Sequence, residues 1–502
     1  MAEYILWYGL RWEKVNQGSV LPPTMVTPTR RRFFEDSFMA AAAVALPKSM
    51  LAADPGPVSA NEKITAAIIG CGIRGKAHAR ELARLADCDV AYVCDPDLDR
   101  ADEVGALLVE LKRPMPKKVQ DLRKVLEDKS VDVVFIATPN HWHALAAIWA
   151  MQAGKDVYVE KPVSQNVEEG RRIVQVARKL GRIAQTGTQN RSRGALAEAV
   201  KFMREGKLGE VKLAKSIIYS GRGSIGGPAE CVMPPRCDYD LWAGPAPMTK
   251  LTRPKFHYDW HWFWDTGNGE IGNNNVHSLD ICRWGLGVTG LGRSVLSYGG
   301  RLGYTDVAET PNSQVGIFDF GDKTIVSETR GLKTAPFHPT IKSMWFFYGS
   351  EGIIADTSLF DPTGNLVRAF EGKSENHFAN FLRAVRSRKH TDLTADIEEG
   401  HQSTALCHIA NISYRLGSKS SVNDISKHLG DIKAHEDVQD TLERTRHYFA
   451  EAGVDLDKTQ LTLGQHLRVD GDKESFLDNA AANALLTREY RAPCVVPQLS
   501  EI

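Results

Sequence analysis

Short apolar runs alternate with amphipathic runs along residues 64–186. The apolar runs predict strands, and the runs between them space their apolar residues as a helix does. The predicted strands cover residues 64–69, 90–94, 131–137, 156–160 and 183–186, and the predicted helices cover 76–85, 100–111, 121–127, 143–153 and 167–180. Strands that alternate with helices are typical of a doubly wound parallel sheet, which we expect over residues 61–188.

The pattern changes after residue 190, where strands no longer alternate regularly with helices. Alternating polar and apolar positions predict strands, and helical spacing returns only in places. The predicted strands are 211–219, 294–298, 314–320, 324–330 and 344–349, and the predicted helices are 196–205, 273–286, 375–388 and 398–416. We therefore expect an α+β domain with an open mixed or antiparallel sheet over residues 189–418, for substrate and self-association. Residues 419–502 contain few apolar positions and are predicted to be a C-terminal extension.

The N-terminal residues have the pattern of an export signal. Residues 29–34, Thr-Arg-Arg-Arg-Phe-Phe, precede an apolar stretch at 38–46 and small residues at 52–53. Adjacent arginines before such a stretch indicate the twin-arginine route, so residues 1–60 are predicted to be leader, signal and linker of an exported, periplasmic protein. Met25 is a candidate start. The alternative is a disordered basic leader on a cytoplasmic protein. The apolar stretch is too short for a membrane span, which needs about 20 residues.

Charge and cysteine content exclude several classes of partner. The 502 residues include 62 Lys and Arg against 62 Asp and Glu. This balance gives no overall field that attracts nucleic acid or an anionic membrane. Eight cysteines in 502 residues do not form a disulfide framework. A small-molecule ligand is the expected partner.

A glycine-rich motif follows the first predicted strand directly. Residues 70–75 read Gly-Cys-Gly-Ile-Arg-Gly and lead into a predicted helix, which is the dinucleotide-binding pattern in its required context. Its glycines allow, in order, a tight turn, close approach of the backbone to a pyrophosphate, and packing of helix on strand. The helix N-terminus then offers free N–H groups to the phosphates. The predicted cofactor contacts of this Rossmann domain are Gly70, Gly72, Ile73, Arg74 and Gly75.

Asp95 ends the second predicted strand and bears on the choice of cofactor. A carboxylate there accepts hydrogen bonds from the adenosine ribose and repels a 2′-phosphate, which favours NAD over NADP. Arg100 is close enough in sequence to weaken this preference. The alternative is an ordinary turn-forming Asp before Pro96.

Lys161 follows the strand predicted at 156–160. Ligands of a doubly wound sheet lie beyond the carboxyl ends of its strands, so Lys161 is expected to face the cofactor crevice. Glu160 either orients the ammonium group or contacts the cofactor, and Pro162 fixes the chain direction. The alternative for Lys161 is a solvated strand end.

A second group of polar residues shares one face of the helix predicted at 273–286. Asn273, His277, Asp280 and Trp284 are separated by steps of helical spacing. Hydride removal from a carbinol is easier when a base takes the hydroxyl proton, and His is suited to that. A nearby Lys stabilises the developing alkoxide. The alternatives are a structural histidine and helix capping by the asparagines.

These motifs together resemble the Gfo/Idh/MocA family of sugar and cyclitol oxidoreductases. The resemblance covers roughly residues 62–418 and rests on five stretches: 70–75, Ala137-Thr-Pro-Asn-His-Trp-His143, Glu160-Lys161-Pro162, Gly187-Thr-Gln-Asn-Arg191, and the helix of His277 and Asp280. It implies that Lys161 and His277 are the reacting pair. It also implies cofactor contacts from Thr138, Pro139, Asn140, His143, Glu160 and Gln189, with Asn190 and Arg191 near the substrate.

One position departs from the family pattern. The family commonly has Asp four residues before the histidine, and this chain has Asn273. An amide can orient an imidazole but cannot stabilise an imidazolium by charge. Asp280 is the candidate substitute for the missing carboxylate.

The loop at residues 256–264 is dense in aromatic side chains. Trp260, Trp262 and Trp264 are predicted to form a platform for sugar C–H faces, and an aromatic core cluster is the alternative. His257 and His261 have the spacing of a metal-binding pair but lack a recognisable third ligand, so no metal is predicted.

The expected function is that of an exported NAD-dependent oxidoreductase acting on CH–OH groups of a sugar or polyol. An exported enzyme needs a retained cofactor, which favours a redox-neutral cycle. One alternative is a glycosidase or lyase that uses bound NAD for transient oxidation to a keto-sugar. Another is a non-catalytic sugar- or nucleotide-binding protein. The predicted open sheet offers a face for a homo-oligomer.

Overall fold

The computed structural model describes residues 63–502 except 254, 339 and 437. The predicted leader, twin-arginine signal, linker and start at Met25 lie outside the described residues. Within those residues, no helix combines the length and the apolar character that a bilayer crossing requires.

A parallel sheet with helices on both faces forms the nucleotide-binding part. Among the described residues it has six strands in the order β3-β2-β1-β4-β5-β6, and every neighbouring pair is parallel. Its strands are β1 (Ile64–Ile69), β2 (Cys88–Cys94), β3 (Lys117–Val119), β4 (Val133–Ile136), β5 (Asp156–Val159) and β6 (Ala184–Thr186). Its helices are α1 (Ile73–Ala83), α2 (Leu98–Glu110), α3 (Leu122–Glu127), α4 (Asn140–Gln152) and α5 (Val167–Lys179). The predicted doubly wound Rossmann fold is confirmed.

Helix starts are where the structure differs most from the predicted bounds. Helix α1 begins at Ile73, inside the glycine motif, and α4 begins at Asn140, directly after Pro139. The apolar spacing that marks a helix begins only where side chains meet the sheet, so it does not show the first turn. Strand β3 has exposed positions and no apolar run, which is why the sequence pattern missed it.

A mixed sheet forms the second part. Among the described residues it has twelve strands, with the main path β14-β13-β12-β11-β7-β10-β9-β8-β16-β15 and β17 and β18 beside β8. Strands β7 and β10 are parallel and the other neighbouring pairs are antiparallel. The strands are β7 (Val211–Tyr219), β8 (Ser294–Gly300), β9 (Ser313–Asp319), β10 (Thr324–Arg330), β11 (Trp345–Gly349), β12 (Gly352–Ala355), β13 (Ser358–Phe360), β14 (Leu366–Ala369), β15 (Ser418–Ser420), β16 (Leu461–Leu463), β17 (Leu467–Asp470) and β18 (Ser475–Phe476). The predicted α+β fold with a mixed sheet is confirmed.

Helices and short turns complete the second part and its connections. The α-helices are α6 (Gly194–Arg204), α7 (Tyr239–Ala243), α8 (Val276–Leu286), α9 (His377–Ser387), α10 (Ile397–Arg415), α11 (Val422–Leu429), α12 (Val438–Glu451) and α13 (Ala480–Ala484). A π-helical turn, Ile271–Asn275, leads directly into α8, and 3-10 turns lie at Gln189–Ser192, Asp259–Trp262, His390–Asp392 and Leu499–Glu501.

The two faces of the mixed sheet are covered by different parts of the chain. Val295, Phe318 and Ile325 pack with α8 and α10 in one core, while their neighbours Leu296 and Ile317 point to the other face. That second face is covered by the C-terminal tail, through Val422, Ile425, Leu429, Leu442, Tyr448 and Phe449. The face predicted to be free for self-association is therefore covered over β8, β9 and β10, because the tail contains more apolar positions than its composition suggested.

Packing crosses the domain limits that the sequence predicts at residues 188 and 418. Helix α9 packs on the nucleotide-binding sheet, where Phe378 and Phe381 contact Phe135 and Tyr158. The tail adds strands to the mixed sheet, and its last residues, including Val496, join the core beside α4 and α5. The predicted limits at 188 and 418 therefore stay a prediction, since the described residues from 63 onward belong to one compact unit.

Candidate functional site

The glycine motif forms a cradle that only glycine fits at two of its positions. Gly70 has φ +92°, and a Cβ there would lie 2.5 Å from the backbone carbon of Ala137. A Cβ on Gly75 would lie 2.0 Å from the carbonyl oxygen of Gly70. Gly72 is the N-cap of α1 and has no side chain to accept from the first N–H groups of that helix, which leaves them available to a ligand. Ile73 beside them is 58% exposed, although it is apolar. The cradle therefore fits the pyrophosphate of a dinucleotide, with the exposed Ile73 side chain beside it.

Asp95 lies at the end of β2, against the same cradle. Its carboxylate accepts hydrogen bonds from the backbone N–H groups of Cys71 at 2.7 Å and Asp97 at 3.0 Å. Burial raises the pKa of Asp95 to about 6, and these two hydrogen bonds oppose the shift. The guanidinium of Arg100 lies 3.5 Å from the Cβ position of Gly72. Asp95 thus braces the glycine turn and lies where an adenosine ribose is expected.

Glu160 connects β5 to helix α1. It is 3% exposed and accepts hydrogen bonds from Arg74 at 2.6 Å and Gln189 at 3.2 Å. His78, which the sequence analysis missed, lies 2.9 Å from the same carboxylate oxygen. Burial raises the pKa of Glu160, but Arg74 and His78 outweigh burial and hold the pKa well below its ordinary value. Glu160 is therefore an anion at neutral pH, and it ties Gln189 and Arg74 together.

The segment Thr138–His143 forms the next wall of the crevice. The ring nitrogens of His143 lie 2.8 Å from the carbonyl oxygen of Thr138 and 2.6 Å from that of Pro162. Asn140 donates to Asn268 at 2.9 Å, and Pro139 caps α4. His143 and Asn140 thus fix the loops around the crevice. The buried hydroxyl of Thr138 has no hydrogen-bond partner within the described part of the chain, so it is available to a ligand.

Lys161, Asn273 and His277 come together beyond the carboxyl end of β5. The half-buried Lys161 donates from Nζ to the backbone oxygen of Asn273. Burial lowers the pKa of Lys161 to about 8. Burial, followed by the charge of Lys161, lowers the pKa of His277 to about 3. Among the described residues, none is a hydrogen-bond partner of the buried Nδ1 of His277. This arrangement offers a cation and a neutral imidazole to one ligand.

The π-helical turn before α8 changes what Asn273 contacts. The Asn273 side chain donates to Glu270 at 3.4 Å. Glu270 is 1% exposed and is paired with Arg222, whose nitrogens lie 3.1 and 3.2 Å from its two oxygens. Glu270 and Arg222 are site residues that the sequence pattern does not indicate, although Glu270 lies in the same polar stretch as Asn273. Such π-turns occur often at functional sites.

Asp280 is held by other partners than His277. It accepts two hydrogen bonds from Arg191, at 2.8 and 2.9 Å, and a third from Ser403 at 2.7 Å. Arg191 also contacts Glu399 at 3.0 Å. The expectations that Asp280 orients the imidazole and that Arg191 faces a substrate are corrected accordingly: the two side chains saturate each other and fix α8. Asn190, in the same 3-10 turn as Arg191, is half-buried.

The aromatic loop is only partly available to a ligand. Trp262 is 2% exposed, and the guanidinium of Arg301 lies 4.6 Å from its ring centre. Trp262 is therefore a core residue, which corrects its predicted place in a sugar platform. Trp264 is half-buried beneath Arg415, and the half-buried Trp260 packs with the cluster of Trp242 and Phe256. A platform of Trp260 and Trp264 stays a prediction.

Four residues of the second part contact the segment that follows β2, where adenosine is expected. We call these residues the strap: Arg236, Cys237, Asp238 and His257. Asp238 donates from its backbone to Pro96 at 2.9 Å, and Leu98 donates to Arg236 at 3.2 Å. His257 lies 2.8 Å from the carboxylate of Asp97, and Arg236 lies 2.7 Å from Asp99 and from Asp102. Cys237 forms a β-bridge with Asp97. The strap thus binds the segment that follows β2, where adenosine is expected.

His257 and His261 do not face a common point. His257 contacts Asp97, and Nδ1 of His261 lies 2.8 Å from the carbonyl oxygen of Tyr258. In the part of the chain that the structure covers, no group of three or more His, Cys, Asp or Glu side chains has the geometry of a metal site.

Two segments of the chain match profiles of one protein family. Residues 64–188 match the Gfo/Idh/MocA oxidoreductase profile, described as an NAD-binding Rossmann fold, and residues 217–291 match the C-terminal alpha/beta domain of that family.

Curated relatives include a dehydrogenase and a glycosidase. The scyllo-inositol 2-dehydrogenase (NAD(+)) of Bacillus subtilis is 31% identical over 173 residues, which are 34% of this chain and 48% of that protein. An alpha-N-acetylgalactosaminidase of Shewanella oneidensis is 34% identical over 120 residues, which are 23% of this chain and 26% of that protein. The chain thus spans less than half of the length of these relatives.

Solved structures share the fold. The WlbA dehydrogenase from Bordetella pertussis, in complex with NADH and UDP-GlcNAcA, is 20% identical with a TM-score of 0.51, covering 68% of this chain and 94% of that chain. The WlbA dehydrogenase from Chromobacterium violaceum, in complex with the same ligands, is 18% identical with a TM-score of 0.53, covering 72% of this chain and 96% of that chain.

Proposed function

Because the chain belongs to the Gfo/Idh/MocA family of NAD-binding oxidoreductases, we propose that it transfers hydride between a carbinol carbon of a sugar or polyol and NAD. The observation that carries this proposal is the convergence of Lys161, Asn273 and His277 beyond the carboxyl end of β5. Ligands of doubly wound sheets lie at that edge. The sugar-acting relatives support the class of substrate.

The chemistry of the site follows from the charge states of two side chains. His277 is neutral at pH 7 because burial lowers its pKa to about 3, so it can accept the proton of a substrate hydroxyl. Lys161, with its pKa lowered by burial to about 8, is still largely an ammonium at pH 7 and stabilises the oxygen as it becomes an alkoxide. Bound NAD supplies the hydride acceptor. Asn273 fixes the ammonium through its backbone oxygen.

Retention of the cofactor belongs to the same proposal. The strap contacts the segment after β2 through backbone hydrogen bonds at Arg236 and Asp238 and through His257. Because these contacts are made to the segment where adenosine is expected, NAD leaves only when the strap opens. A retained cofactor suits an exported protein, as the signal pattern at residues 29–46 predicts, and it favours a cycle that is redox-neutral overall.

A second candidate function is glycoside cleavage through transient oxidation to a keto-sugar. The glycosidase relatives support it, and they match only 22–30% of this chain. The same Lys161 and His277 would serve the oxidation step, and the cleavage step would need a further acid or base. A non-catalytic sugar-binding protein has less support, since the imidazole and ammonium are both present.

The test is a panel of sugars, polyols and glycosides incubated with purified native protein, with products identified by mass spectrometry. The proposed function predicts an oxidised sugar, or a coupled oxidised and reduced pair, that disappears in Lys161→Met. A cleaved glycoside without net NADH supports the second candidate. Binding of sugar with no product from any compound, in protein shown to contain NAD, contradicts both.

A further inference from the structure

We propose that the Arg222–Glu270 ion pair is a positioning pair for Lys161, which sets the charge balance around the ammonium from the mixed-sheet side of the crevice. The inference rests on the proposed function, because it takes Lys161 as the reacting group. It adds a role for two residues that lie outside the motifs of the glycine turn, the Glu-Lys-Pro triplet and the His277 helix.

The geometry connects the pair to Lys161 through one residue. Lys161 donates to the backbone oxygen of Asn273, and the Asn273 side chain donates to Glu270 at 3.4 Å. Glu270 is 1% exposed, so its only compensation for burial comes from hydrogen-bond partners. Arg222 supplies two of these contacts and also donates to the hydroxyl of Tyr258 at 3.1 Å. The buried carboxylate of Glu270 is therefore linked to the ammonium of Lys161 through a single residue, Asn273.

A second arginine–carboxylate pair also acts on Lys161. Glu160, its neighbour in sequence, is paired with Arg74 at 2.6 Å. Glu160 and Glu270 thus each have an arginine partner, and within the described residues Lys161 forms no ion pair of its own. The opposite charges within each pair largely cancel at Lys161, so burial is the main cause of its lowered pKa.

Four further titratable groups that interact electrostatically with Lys161 are neutral at pH 7. Burial lowers the pKa of His143, of His261 and of His277, and burial raises the pKa of Cys407. Lys161 is among the charges that act on each of these four groups. The charges that act most strongly on the ammonium are those of Glu160, Arg74, Glu270 and Arg222.

This balance makes a prediction that a purely structural pair does not. Removing Arg222 leaves the negative charge of Glu270 uncompensated, and Lys161 then holds its proton to higher pH. Removing the charge of Glu270 leaves Arg222 uncompensated, and Lys161 then loses its proton at lower pH. The two substitutions act on the same ion pair and are expected to shift the lysine in opposite directions.

The experiment measures the reactivity of Lys161 itself, without substrate. Full-length protein is labelled with limiting acetic anhydride from pH 6 to 10, and acetylation of Lys161 is quantified by peptide mass spectrometry against the exposed Lys207. The wild type is expected to show a midpoint near pH 8. Arg222→Gln is expected to raise the midpoint, and Glu270→Gln to lower it, each by about 1 pH unit. Arg444→Gln, which breaks a similar arginine–glutamate pair on the far face of the mixed sheet, is the control and leaves the midpoint unchanged.

A double variant covers the case in which a single substitution prevents folding. Arg222→Gln with Glu270→Gln removes both charges and is expected to return the midpoint to within about 0.3 unit of wild type. Shifts of both single variants in the same direction, no shift in either, or a shifted midpoint in the double variant overturns the proposal. The proposed function fails separately, if Lys161→Met retains hydride transfer while the labelling midpoints shift as described.

Discussion

Replacing His257 by phenylalanine tests whether the strap holds NAD in its crevice. The imidazole lies 2.8 Å from the Asp97 carboxylate, whose side chain is 4% exposed. Burial lowers the pKa of His257, so at pH 7 the neutral ring donates this hydrogen bond. Phenylalanine preserves the ring that packs 4.8 Å from Phe256 and removes only the donor. The substitution therefore weakens the strap without removing its packing.

The size of the effect follows from that one hydrogen bond. A hydrogen bond to a charged group contributes about 1.5–3 kcal/mol. If opening of the strap limits release, the open population rises by the same free energy, and about 1.4 kcal/mol corresponds to a factor of ten. NAD is thus expected to dissociate roughly 10- to 150-fold faster from His257→Phe than from wild type.

The assay follows the fluorescence of protein-bound NADH after mixing with excess NAD+. The matched control is His390→Phe, which removes a histidine 3.4 Å from the carboxylate of Asp396, outside the strap. The control is expected to release NADH at the wild-type rate. A His257→Phe rate equal to that of wild type and of the control refutes the reasoning, because the strap would then not lie on the path of release.

Three further predictions concern the reaction, the fold and assembly. Because burial lowers the pKa of His277 to about 3, this base stays deprotonated through neutral pH. The pH profile of kcat/KM should therefore show no acid limb near pH 6.5, but a change near pH 8 from Lys161. An acid limb near pH 6.5 would contradict the lowered pKa of His277. Asp280→Asn breaks a buried ion pair and should lower the free energy of unfolding by about 3–5 kcal/mol in urea denaturation, whereas a change below about 1 kcal/mol would contradict the saturated pair with Arg191. The homo-oligomer predicted from the sequence should assemble through edge strand β14, where Leu366 is 62% exposed; Leu366→Glu should then yield a monomer in light scattering, and an unchanged oligomer mass would contradict this assignment.

The fold could be predicted largely because its signals are local. The alternation of apolar strands and amphipathic helices is visible in short windows of sequence. Gly70 and Gly75 are required because a Cβ at either position would clash with the backbone. Lys161 and His277 could be found for the same reason, since a strand end and a helix face determine where each side chain points.

The contacts that could not be predicted are those between distant segments. Arg191 and Asp280 are 89 residues apart, and Lys161 and Asn273 are 112 apart, so no periodicity relates them. Asp280 has helical spacing from His277, and only the fold shows that its carboxylate already belongs to Arg191. The aromatic loop illustrates the same limit, because the buried Trp262 lies against Arg301, which is 39 residues away and follows β8.

The average composition of the C-terminal tail does not show how its apolar residues are arranged. Its apolar residues are few, but helical spacing places Leu442 and Phe449 on one face of α12, and both are 1% exposed. A narrow apolar stripe is sufficient when a sheet face is present to receive it.

The central claim is that NAD lies against the turn after β1 with its reactive ring between Lys161 and His277. A crystal structure of the protein loaded with NAD tests it most directly. The account predicts pyrophosphate density at the N-terminus of α1 and the nicotinamide within hydrogen-bonding reach of a ligand held by Lys161 and His277. A dinucleotide bound elsewhere, or a nicotinamide directed away from both side chains, would contradict it.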